Sequence, residues 1–156
     1  MDDAYFGEGS TFYSDDYGNG RIMIITRYGQ VGFIYDAVTL EKLTEFEYTT
    51  TPERGNQGWG ITYDASREEF IVSDGSQYLY FWDRDTLAEK RTRVAVTRFH
   101  GGEQWRLDEL EFMGGLVCCN IWKSDEIICV DPVTGRSARE YGEKIIIKDD
   151  ASDFNC

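Results

Sequence analysis

Phe33-Ile34-Tyr35-Asp36-Ala37-Val38-Thr39-Leu40 returns twice further along the chain. It reappears as Tyr80-Phe81-Trp82-Asp83-Arg84-Asp85-Thr86-Leu87 and as Ile128-Cys129-Val130-Asp131-Pro132-Val133-Thr134-Gly135. Each copy is a short β-branched or aromatic run that ends in Asp-x-x-Thr, where the Asp and Thr oxygens can bond the backbone of a tight turn. The three aspartates stand 47 and 48 residues apart. Working outward at fixed offset, a strand precedes each turn at 24–27, 71–74 and 119–122, and another lies further upstream at 8–12, 59–63 and 108–112. A fourth follows each turn, at 43–48, at 91–97 and, most weakly, after Arg136. No window sustains a 3.6-residue period. Four antiparallel strands per repeat, with a period just under fifty residues, is the pattern of a β-propeller blade. The expected fold is therefore all-β, with blades at about 5–48, 58–98 and 107–148 and crossings at 49–57 and 98–106. Propellers typically have about four to eight blades. Three are expected to be part of a larger ring, completed by more sequence or by self-association. Residues 144–148 read as a strand and the acidic 149–156 as a frayed tail.

The composition narrows the function classes. Among 156 residues, 16 basic and 29 acidic side chains leave a formal charge of −13, alongside ten Tyr, nine Phe and four Trp. A chain this aromatic folds rather than staying disordered. Its acidity argues against nucleic acid and against anionic membrane surfaces, both of which repel it. No run approaches the roughly 18 apolar residues of a membrane span. Met1-Asp2-Asp3-Ala4 lacks the basic flank and apolar run of an export signal, so the sequence leaves the compartment open. The cysteines are Cys118, Cys119, Cys129 and Cys156, without a Cys-x-x-Cys pair, and His100 is the one histidine. That pattern supports neither a zinc site nor a disulfide framework. Cys118, Cys119 and Cys129 are expected to be small strand hydrophobes.

Equivalent positions of successive blades converge on a propeller's axis. The repeat superposes Glu8, Trp59 and Asp108 at the start of the innermost strands, and Arg27, Asp74 and Trp122 at the end of the next strands. Because neighbouring strands run antiparallel, all six reach the same mouth. Taken singly, a strand Trp is a packing residue and a Glu beside Gly a solvated turn. Together they describe a rim of two indoles, three carboxylates and a guanidinium, the make-up of a ligand site.

The segments Phe6-Gly7-Glu8-Gly9, Gly58-Trp59-Gly60-Ile61-Thr62, Ser73-Asp74-Gly75-Ser76, Leu107-Asp108-Glu109-Leu110-Glu111 and Asn120-Ile121-Trp122 occur in that order. With the turn-forming runs between them, residues 5–141 resemble the plant and bacterial type of glutaminyl-peptide cyclotransferase. The resemblance implies a five-bladed propeller that cyclises the N-terminal glutaminyl residue of a peptide to pyroglutamyl, releasing ammonia without metal or organic cofactor. It implies Glu8 as the acid/base residue, Trp59 and Trp122 as pocket walls, and Phe6 beside them in the Phe-Gly-Glu-Gly motif. It also marks departures: Asp108 stands where the family has Asn, Arg27 where it usually has Trp, and Gln57 where an acidic residue is common. The family's Phe-Thr-Gln-Gly-Leu segment would precede residue 1, and its lysine-bearing strand would follow residue 156. The expected site is thus Glu8 and Asp108 as catalytic carboxylates, with Phe6, Arg27, Trp59, Asp74 and Trp122 binding substrate. A non-catalytic peptide-binding propeller with an altered pocket stays open beside the enzyme.

Overall fold

The computed structural model describes residues 5–52 and 55–141. The expected strand at 144–148 and tail at 149–156 lie outside the described residues. The strands are β1 (Gly7–Ser14), β2 (Gly20–Thr26), β3 (Val31–Asp36), β4 (Lys42–Glu47), β5 (Ile61–Asp64), β6 (Glu69–Val72), β7 (Tyr78–Asp83), β8 (Glu89–Ala95), β9 (Leu107–Met113), β10 (Leu116–Ile121), β11 (Ile127–Val130) and β12 (Ser137–Tyr141). They form three four-stranded sheets, each an antiparallel meander in which neighbours in sequence are neighbours in space. This is an all-β, propeller-like arrangement. No helix among the described residues is long and apolar enough to cross a membrane.

The repeated turn explains why the third strand of each sheet stops where it does. Asp36 Oδ1 accepts the N–H groups of Val38 and Thr39, both at 2.9 Å. Asp83 Oδ1 does the same for Asp85 and Thr86, and Asp131 Oδ1 for Val133 and Thr134. Thr39, Thr86 and Thr134 then accept the N–H of Glu41, Ala88 and Arg136. The side chains satisfy backbone donors that the turn leaves without ladder partners.

The innermost strands pack side by side, β1 on β5 and β5 on β9. Their approach is tight. A Cβ at Gly9 would stand 2.5 Å from the Trp59 carbonyl oxygen, and one at Gly60 would stand 2.3 Å from that of Asp108. Only glycine fits where the next backbone comes this close.

Two apolar layers hold the sheets together. Met23, Ile25, Ile34 and Tyr48 of the first sheet pack on Phe70, Val72, Tyr80 and Trp82 of the second. The opposite face of the second sheet, with Ile71, Leu79 and Phe81, packs on Leu110, Val117, Cys119, Ile128 and Val130 of the third. Every residue of β6 is buried as a result. Each such side chain contributes about 1.5–3 kcal/mol. Glu69, also buried, is held by Arg91 at 2.9 Å, and Arg91 reaches on to the Pro132 carbonyl of the third sheet at 3.1 Å.

The cysteines correct the sequence expectation. Cys118 on β10 and Cys129 on β11 face each other in register, with Cα atoms 3.9 Å apart, and form a disulfide. The equivalent pairs are Met23 with Ile34 and Ile71 with Phe81, each covered by the following sheet. In the third sheet a covalent bond stands at that position. Cys-to-Cys spacing carries no such information, because pairing across two strands depends on ladder register rather than on sequence distance. Cys119 points the other way into the core as a free thiol. Burial pushes its pKa up to about 12, so it behaves as a small hydrophobe.

Candidate active site

The end of β2 and the start of β1 bring the first two site residues together. Arg27 follows β2 and its N–H donates to the Phe6 carbonyl at 3.0 Å, extending the ladder past the strand ends. Its guanidinium then reaches back along the sheet, where Nη1 donates to Glu8 Oε1 at 2.9 Å. Both side chains are largely buried, with 20% of Arg27 and 15% of Glu8 exposed. The Phe6 ring itself is exposed.

The second sheet contributes the wall. Trp59 is buried, and its Nε1 donates to Gln57 Oε1 at 2.9 Å. Arg27 lies over the Trp59 ring with its central carbon 4.5 Å from the ring centre, a cation–π contact. Trp122, which follows β10 in the third sheet, meets Trp59 edge to face at 5.5 Å and 71°. Lys123 lies 4.4 Å from the Trp122 ring centre. Glu8, Arg27, Trp59 and Trp122 are thus one continuous stack crossing three sheets.

Asp108, near the start of β9, borders this stack. Its Oδ2 accepts a long bond of 3.5 Å from Asn120 Nδ2. Burial raises its pKa, and the Arg27 charge and the Asn120 bond only partly oppose that. Beside it stands Glu109, which the sequence reading did not single out. Partial loss of water first, then the Asp108 and Glu8 charges, push the Glu109 pKa up to about 7, although the residue itself is exposed to solvent. A signal for it did exist: Glu109 occupies the register that Gly9 and Gly60 hold in the other two inner strands.

Asp74 is placed differently from the rim expected of it. It is completely buried. Its Oδ1 accepts from the Ser76 backbone and hydroxyl, and its Oδ2 from the Thr51 N–H and the Tyr80 hydroxyl. Asp74 therefore pins the crossing between the first and second sheets.

The larger cavities lie around this stack rather than in it. One of about 830 Å³ covers the open face of the third sheet, bordered by Glu109, Asn120, Met113, Tyr141 and the disulfide, with Ser10 of β1 also on its wall. A groove of about 720 Å³ between the first and second sheets contains none of the expected site residues. Among the described residues, no three His, Cys, Asp or Glu side chains converge in a way that could hold a metal ion.

Residues 1–153 match the family model described as glutamine cyclotransferase. A glutaminyl-peptide cyclotransferase of Arabidopsis thaliana is 33% identical over 135 residues, covering 86% of this chain and 38% of that protein. The crystal structure of Myxococcus xanthus glutaminyl cyclase superposes with a TM-score of 0.73 at 26% identity, covering 87% of this chain and 52% of that one. Hydrazine synthase of Kuenenia stuttgartiensis, at 12% identity and a TM-score of 0.55 over 86% of this chain and 36% of its own, shares the fold alone. The chain spans about half the length of the solved cyclase and less of the plant protein.

Proposed function

The chain belongs to the glutamine cyclotransferase family, and from that premise we propose that it acts on peptides with an N-terminal glutaminyl residue. The reaction closes that residue to pyroglutamyl and releases ammonia. The three sheets, with their connections, are read as three blades of a five-bladed ring. Further sequence or self-association would complete it. One observation carries the functional reading: the stack in which Glu8 lies beside Arg27 on the Trp59 indole, next to Trp122 and Asp108.

The chemistry needs one proton moved. The α-amine attacks its own γ-carboxamide carbon, loses a proton, and the departing nitrogen gains one. Glu8 suits that shuttle because Arg27 fixes Oε1 and leaves Oε2 without a partner among the described residues. An α-amine ordinarily titrates at about 7.7–8.0, so a modest base suffices. Asp108 is the second carboxylate and orients the α-ammonium before it is deprotonated. Trp59 and Trp122 wall the folded side chain and hold nitrogen and carbon together, a proximity effect worth several kcal/mol. Phe6 borders the entrance. Asp74 contributes through the crossing it pins.

The test is ammonia release from a Gln-initiated peptide by the chain and by Glu8→Gln. We expect the variant to be slower by about 100-fold or more, the usual weight of acid/base catalysis. Unchanged turnover removes Glu8 from the mechanism. The Glu8–Arg27 ion pair favours one second reading, a peptide-binding propeller without turnover. In that case the peptide binds, quenching or shifting Trp fluorescence, and no ammonia appears.

A further inference from the structure

Ring closure places negative charge on the carboxamide oxygen, and a catalytic site must present N–H or O–H donors to it. Besides Arg27, two further cations, Lys123 and Arg106, lie over the Trp122 ring at 4.4 and 5.9 Å, and neither bonds Glu8 among the described residues. Trp59 Nε1 is committed to Gln57, and Asn120 Nδ2 is turned toward Asp108. Glu8, Asp108 and Glu109 only accept when ionised. Trp122 carries a neutral N–H, and a donor without charge is roughly half as strong as an ionised one.

Arg27 differs from all of these. A guanidinium has five N–H groups. Nη1 bonds Glu8, Nη2 has no partner among the described residues, and Nε is buried without an acceptor. The group is fixed on two sides, by Glu8 at 2.9 Å and by the Trp59 face at 4.5 Å, while a fifth of the side chain stays exposed. Such a donor is oriented before the reaction begins, the condition under which electrostatic stabilisation is strongest. We infer that Arg27 is the donor that receives the carboxamide oxygen of a bound N-terminal glutaminyl residue, an inference that rests on the cyclotransferase reading.

The step balances without a further reactant. The α-nitrogen bonds the γ-carboxamide carbon as its proton passes to Glu8 Oε2. The carbonyl electron pair moves onto the oxygen, which accepts from Arg27. That pair then returns, the carbon–nitrogen bond to the amide breaks, and the proton on Glu8 leaves with the nitrogen as ammonia. Arg27 keeps its protons throughout. The same ion pair sets the base and the donor side by side.

Ammonia release from a Gln-initiated peptide tests the assignment on the full chain. Arg27→Ala is expected to lower kcat by about 100-fold or more, as loss of one oxyanion donor does, with KM changed only a few-fold. Added methylguanidinium should restore part of that turnover in a saturable way, which a merely structural role would not produce. Arg27→Lys keeps the charge but cannot fork between Glu8 and the substrate, and should fall about tenfold in kcat. That variant also tests the assignment if Arg27→Ala folds poorly. Wild-type turnover in either variant, or faster turnover in Arg27→Ala, overturns the assignment. Absence of ammonia release from the wild-type chain overturns the cyclotransferase reading itself, and this inference with it.

Discussion

Asp36 and Asp83 at the outer turns and Asp108 and Glu109 on the third sheet's inner strand are shifted in opposite directions. At the turns, backbone N–H bonds hold Asp36 and Asp83 below the ordinary carboxylate range, with those of Thr39 and Thr86 the largest causes. On that inner strand, burial raises Asp108, and partial loss of water with the neighbouring Asp108 and Glu8 charges raises Glu109. The turns repeat one residue three times because one local geometry asks for it. The site places Glu8, Trp59 and Asp108 at one register and Arg27 and Trp122 at another, while Asp74, which shares that second register, is buried in the scaffold. Repetition marks what stabilises the scaffold, and divergence marks where charge is kept at some cost in stability.

The disulfide provides the largest test of the scaffold side. It closes 11 residues of sequence separation, for which chain-entropy arguments give about 2–3 kcal/mol. Cys118→Ser with Cys129→Ser should lower the unfolding free energy by that amount in a denaturant titration. A loss below about 0.5 kcal/mol would mean that the third sheet, like the others, is held by packing alone. Asp83→Ala comes next. It removes the acceptor of two turn N–H groups and should lower Tm, as loss of a helix cap does, with turnover per folded molecule unchanged.

The smallest effect is a matter of sign. A carboxylate with a depressed folded pKa adds stability above its unfolded pKa and loses it as pH falls through the folded value. Asp36 and Asp83 therefore weaken the fold below about pH 4. A carboxylate with a raised folded pKa does the reverse, and Glu109 lowers stability as pH rises from its unfolded value toward about 7. Glu109→Gln should raise Tm at pH 8 and leave it unchanged at pH 4. Because Glu109 opens onto the cavity, solvent screens it and the shift should be a degree or two at most. A stabilisation of equal size at both pH values would show that charge is not the cause.

The fold was legible because its signals are local. Asp36, Asp83 and Asp131 form the same turn wherever they stand, and the apolar runs before them pair in sequence order. The cluster of Glu8, Arg27, Trp59, Asp108 and Trp122 was legible through register, since residues at one level of neighbouring inner strands come together. Register fails for Asp74 because it gives the level on a strand and not the partners waiting there. Ser76, Thr51 and Tyr80 capture that carboxylate inside the scaffold. The disulfide was hidden for a related reason, since it depends on which residue of β10 faces which of β11. Glu109 was readable in principle, as the one side chain at a level where the other inner strands carry glycine.

The division of labour between mouth and turns is tested most directly by measuring turnover and Tm together for Glu8→Gln and Asp83→Ala. The account predicts a crossed result: Glu8→Gln loses about 100-fold or more in ammonia release and keeps its Tm, while Asp83→Ala loses Tm and keeps its turnover. If Glu8→Gln melts early and turns over normally, or Asp83→Ala loses turnover while folded, the mouth is not where the chemistry is done.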